Sequence, residues 1–132
     1  MKKFHLVFGV LVVIVFLLTG QYMDRYHEHL RGMADGQRML FRSRHIFILL
    51  SGLLHLGLGT YWRDRLTPPR RVVQLIGSAL ITLASLLFLL AFIYEPLLEG
   101  LYGPYARVAI YAIAAGTLLH LFSGINESRA DM

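Results

Sequence analysis

The chain has 132 residues, 56% of them hydrophobic, with a mean hydropathy of +0.57, well above that of a soluble globular domain. It contains no cysteine, which excludes disulfide frameworks, thiol redox chemistry, Fe–S ligation and cysteine–zinc sites. The net charge is +5, but the Lys and Arg residues lie between apolar runs, where anionic lipid headgroups account for them and no nucleic-acid partner is required.

The first element is an apolar run over residues 4–20, behind Met1-Lys2-Lys3. Its basic start and its small residues at Thr19-Gly20 resemble a signal peptide, but the run reads as an uncleaved membrane anchor. In the following segment, 21–44, Met23, Tyr26, Leu30, Met33, Leu40 and Phe41 recur at three- and four-residue steps with charges between them. This pattern predicts an amphipathic helix lying at the membrane interface, with Gly32 and Gly36 weakening it. His27 and His29 diverge on such a helix and read as a solvated face. Arg44-His45 reads as an interfacial anchor.

Residues 46–62 form the second apolar run, and 63–71 a tight basic turn whose Pro68-Pro69 stops one helix and starts the next. The third run, 72–94, carries Gln74, Ser78, Thr82 and Ser85 at helical spacing. A connection containing Glu95, Pro96, Glu99, Gly100, Gly103 and Pro104 leads to the fourth run, 108–125. Each run matches the roughly 20 residues needed to span hydrocarbon, and backbone groups in lipid must be satisfied within the segment. The expected fold is therefore all-α: a single membrane domain over 1–132, built as a four-transmembrane-helix bundle with an interfacial helix between the first two spans. Tyr22, Tyr61, Trp62, Tyr94, Tyr102 and Tyr105 fall at run ends, where amphipathic rings prefer to lie. The basic clusters beside the first three spans place both termini in the cytoplasm of a bacterial membrane.

The tetrapeptide Leu-Leu-His-Leu occurs at 53–56 and again at 118–121. In an alternating bundle the second and fourth spans run the same way, and both imidazoles fall at similar depth, nearer the face that holds the termini. On the helical wheel His55 shares a face with Ser51, Gly52 and Gly59, and His120 with Gly116, Thr117, Ser123, Gly124 and Glu127. An intramembrane ionisable residue is a functional-site candidate, and small residues beside it mark a protein-facing side. Neutral imidazoles on two facing helices have the chemistry of axial haem ligands. On that reading His55 and His120 hold a b-type haem, Gly52, Gly59, Gly116 and Gly124 give the macrocycle clearance, and Arg63, Arg65, Arg70 and Arg71 meet its propionates.

The bland alternative is that the histidines hydrogen-bond between helices and the glycines serve packing. No acidic residue falls mid-span, there is no Gly-rich phosphate loop or H-E-x-x-H pair, and nothing assembles a triad. The leading functional expectation is a small non-catalytic membrane subunit or scaffold. It would be held in the lipid bilayer against a larger membrane-protein partner or in a homo-oligomer. An electron-transfer haem protein is the alternative, and an oligomeric transporter or channel a weaker one.

Overall fold

The structure is a computed structural model that describes residues 1–98, 100 and 102–125. Among these residues the chain forms four long helices and no strand: α1 (Lys2–His27), α2 (Asp35–Thr60), α3 (Pro68–Tyr94) and α4 (Pro104–Gly124). All four are long and apolar enough to cross a membrane. At about 1.5 Å per residue, the 26 or 27 residues of α1, α2 and α3 rise about 40 Å, more than a hydrocarbon core of about 30 Å. The 21 residues of α4 rise about 31 Å and just match it.

The extra length of α1 and α2 accounts for the first connection. Residues 21–27 continue α1 and residues 35–44 open α2, so the periodic apolar positions of 21–44 are divided between two long helices rather than gathered in a separate interfacial one. The break is local. Glu28, His29 and Leu30 all take positive φ (45°, 59° and 65°), and Gly32 follows at 77°. Left-handed backbone costs a non-glycine residue about 1–2 kcal/mol. Here the turn folds Leu30 into the core at 3% exposure, which offsets part of that cost. Pro68-Pro69 opens α3 after Thr67 and Pro104 opens α4, as expected, but the prolines do not stop the second helix, since α2 already ends at Thr60.

The helices pack mainly as two hairpins, α1 on α2 and α3 on α4, with α2 and α3 joining them. Glycines let the backbones approach. A Cβ on Gly59 would stand 2.8 Å from the Leu6 backbone nitrogen, and one on Gly116 would stand 2.7 Å from the Gly77 carbonyl oxygen. Val12, Phe41, Ile48, Ala84, Phe88, Phe92 and Ala109 form the apolar core together with Leu30. This core leaves one polar cluster at each end of the bundle.

Candidate functional site

One cluster lies at the end that holds the start of α1, the close of α2 and the close of α4. His5, three residues into α1, is fully buried, as are His55 on α2 and Ser78 on α3. The Nδ1 atoms of His5 and His55 share a hydrogen bond of 2.7 Å. His5 Nε2 shares another with Ser78 Oγ at 3.0 Å, and Ser78 Oγ a third with His120 Nε2 at 3.1 Å. Every helix thus contributes one side chain to a single chain of hydrogen bonds, His55–His5–Ser78–His120.

A neutral imidazole carries one N–H, so His5 donates through one ring nitrogen and accepts through the other: it either donates to His55 and accepts from Ser78, or accepts from His55 and donates to Ser78. Trp62 covers the cluster, its ring centroid 5.2 Å from that of His5 and 5.8 Å from that of His120. His55 Nε2, at the inner end, is buried and has no hydrogen-bond partner among the described residues.

This arrangement differs from the one that the haem reading expects. His55 and His120 do not face each other across a slot, because His5 and Ser78 lie between them in hydrogen-bond contact with both. The four clearance glycines are also occupied. Gly52 meets Val12 and Val13, Gly59 meets Leu6, Gly116 meets Gly77 and Ile81, and Gly124 meets the Arg65 guanidinium. These small residues serve close helix contact, and the residues present do not fit a bis-histidine macrocycle. Nor is the trio arranged as a metal site. Two ligands on one tetrahedral zinc at about 2.0–2.1 Å sit about 3.3 Å apart, wider than the His5–His55 pair, which is hydrogen-bonded at 2.7 Å. No group of ligating side chains suited to a metal occurs among the described residues. Glu127, placed on the His120 face by the sequence, and Glu99 lie outside those residues.

The second cluster closes the opposite end. Glu95, fully buried at the close of α3, accepts a hydrogen bond from Arg44 Nε at 2.6 Å and another from the Ala106 backbone N–H at 2.8 Å. Ala106 is the third residue of α4, so the carboxylate also meets the positive end of that helix. Gly103 has no side chain because Arg44 and Glu95 fill its Cβ position. Gln37 Nε2 donates to the Pro96 carbonyl at 3.0 Å, tying α2 to the same turn. His45, read from sequence as an anchor, is instead stacked on Phe16 at 4.1 Å and hydrogen-bonded to Thr19 at 2.9 Å. His29 pairs with Asp24 on the exposed face.

His5 is the member of the cluster that the sequence reading did not single out. Its signal was present in the stripe His5, Gly9, Val12, Thr19, which is the buried face of α1. Fold and site together define a four-helix membrane protein whose helices are joined by one polar clamp at each end. No protein-family model matches the chain, and comparisons with curated proteins and with solved structures return no match.

Proposed function

We propose that the protein is a small non-catalytic membrane subunit, a rigid scaffold that packs against a larger membrane protein. The two clamps use their polar groups to join helices. The histidine chain joins all four helices side chain to side chain, which supports a structural role.

The observation that carries the reading is the outward face of α4. It presents Tyr111, Ala114, Ala115, Leu118 and Phe122, with Tyr111 70% exposed. Tyr111 lies seven residues beyond Pro104, about 10 Å along the helix from its start. A phenol at that depth is costly against acyl chains. Beside it the small side chains of Ala114 and Ala115 would let a neighbouring helix approach closely, and the phenol would give that helix a hydrogen bond. In this reading the charged reaches of 21–44, projecting from α1 and α2, meet the partner or the headgroups at the membrane edge. Both termini lie in the cytoplasm of a bacterial membrane. Lys2, Lys3, Arg63, Arg65, Arg70 and Arg71 stand at this end against Arg25, Arg31, Arg38, Arg42, Arg44 and Arg107 at the other, so the orientation rests on how compactly the first set clusters beside the first three spans.

The test is site-specific photo-crosslinking in native membranes from position 115 on α4 and, as control, from Leu17 on the exposed face of α1. A discrete protein adduct of higher mass from 115 alone is expected. Adducts only with lipid from both positions would refute the reading. An adduct with a second copy of this chain would replace the larger partner by a homo-oligomer.

A further inference from the structure

A lateral groove of about 420 Å³ opens between α2 and α4 on the basic side of the bundle, lined in part by His120 of the histidine cluster. Its volume lies within the roughly 300–1,000 Å³ of small-molecule sites. Its inner wall is apolar, formed by Leu53, Leu58 and Leu121, and Gly57 leaves it open, since a Cβ there would meet nothing within 4 Å. Its outer end is polar, with Trp62, Arg63, Arg65 and Gln74.

Gln74 is the informative residue. It is 2% exposed, and its Nε2 donates to the Arg63 carbonyl at 2.9 Å, which fixes the orientation of the amide. Its Oε1 is then a buried acceptor with no donor among the described residues. An unsatisfied buried acceptor of this kind is costly and marks the place of a missing donor. The surrounding charge is cationic. Lys2, Lys3, Arg63, Arg65, Arg70 and Arg71 lie at this end, and Asp64 is engaged by the Trp62 indole N–H at 2.9 Å.

We infer that this groove binds one anionic glycerophospholipid with a hydroxylated headgroup, the chemistry of phosphatidylglycerol. The phosphate lies against the Arg63 guanidinium, while Arg65, which donates to Ser123 Oγ at 3.2 Å, adds to the positive charge of the rim. A headgroup hydroxyl donates to Gln74 Oε1, and one acyl chain runs down between α2 and α4 past Gly57. A quinone fits less well, because its carbonyls only accept hydrogen bonds and it makes no use of the cations. A zwitterionic lipid without hydroxyls leaves both the charge and Gln74 unmet. The same basic side is the one assigned to the cytoplasm above, but the groove and its ligand do not depend on the partner proposal.

Trp62 is the sole tryptophan of the chain and lines the groove, so its fluorescence reports occupancy directly. The full-length protein in detergent micelles is titrated with phosphatidylglycerol, phosphatidic acid or phosphatidylcholine, each brominated on its acyl chains. Phosphatidylglycerol is expected to quench Trp62 at a mole fraction about tenfold lower than phosphatidylcholine does, since each cation near the surface contributes appreciably to anionic lipid binding. Arg63→Gln is expected to reduce that preference several-fold. Gln74→Leu should abolish the advantage of phosphatidylglycerol over phosphatidic acid while keeping the anionic preference. Gly57→Leu fills open space and is expected to leave the thermal transition in place while removing the selective quenching. Equal quenching by all three lipids would overturn the inference. So would a preference that survives both Arg63→Gln and Gly57→Leu, or displacement of the brominated lipid by a quinone but not by unlabelled phosphatidylglycerol.

Discussion

Ser78→Ala is the smallest change that cuts the clamp joining all four helices. The substitution removes one oxygen, leaves α3 with a better helix former, and deletes two hydrogen bonds, of 3.0 Å to His5 and 3.1 Å to His120. Hydrogen bonds between membrane helices average about 0.6 kcal/mol and reach about 1.7, so two of them set a range of about 1–3 kcal/mol. The upper half of that range is favoured because Ser78 and His5 are fully buried and the orphaned His5 nitrogen has no water to turn to. At about 1.4 kcal/mol per decade, the folded-to-unfolded ratio falls by about five- to more than a hundred-fold. The assay is reversible unfolding in mixed micelles of increasing dodecyl sulfate fraction, followed by Trp62 emission and helical circular dichroism. Thr117→Ala is the matched control, since its hydroxyl bonds only to the Ile113 carbonyl of its own helix and faces outward. If Ser78→Ala moves the transition no further than Thr117→Ala, the hydrogen-bond chain does not hold the helices together and the reasoning fails.

The opposite clamp predicts strong coupling between Glu95 and Arg44. Glu95→Leu alone strands a buried guanidinium and is expected to cost about 3–5 kcal/mol in the same unfolding assay, whereas Glu95→Leu with Arg44→Met restores most of it; additive effects would contradict the pairing. Two glycines of one helix should behave oppositely. Gly59→Val pushes against the Leu6 backbone and is expected to destabilise by about 1–3 kcal/mol, while Gly57→Ala, facing open space, is expected to be neutral or to stabilise by up to about 1 kcal/mol; a reversed order would contradict the α1–α2 contact. Purified protein from haem-replete cells is expected to show no Soret band that disappears on His55→Ala or His120→Ala, and such a band, at one haem per chain, would reinstate the cofactor.

What was legible in the sequence follows from how much each helix buries. In α2 the wheel grouping of Ile48, Ser51, Gly52, His55 and Gly59 is the face the structure buries, because α2 packs against both α1 and α3 and its small and polar residues stand out among leucines. Of the stripe Gln74, Ser78, Thr82 and Ser85 on α3, all but Thr82 are buried, and Thr82 is half-buried. In α4 the grouping was only partly right, with Gly116 and Ser123 buried but Thr117 exposed, since α4 leans chiefly on one neighbour and lipid accepts almost any apolar residue elsewhere. His5 was obscured because it stands one residue into a uniformly greasy run, where no contrast in hydropathy marks a face. The 21–44 segment was read as one helix because its periodicity persists through Glu28–Leu30. A left-handed turn at ordinary residues leaves no composition signal beyond the nearby Gly32. Hydrogen-bond partners fifty or more residues apart, such as His5 with His55 and Arg44 with Glu95, are set by helix pairing that a single sequence does not encode locally.

The most direct test is the scalar coupling between ring nitrogens carried by an N–H···N hydrogen bond, measured by solid-state NMR on ¹⁵N-histidine-labelled protein in bilayers. A correlation linking the Nδ1 resonances of His5 and His55, lost in His5→Phe and perturbed in Ser78→Ala, is the predicted result. Separate, uncorrelated rings, with the His5 proton exchanging freely with water, would contradict the clamp.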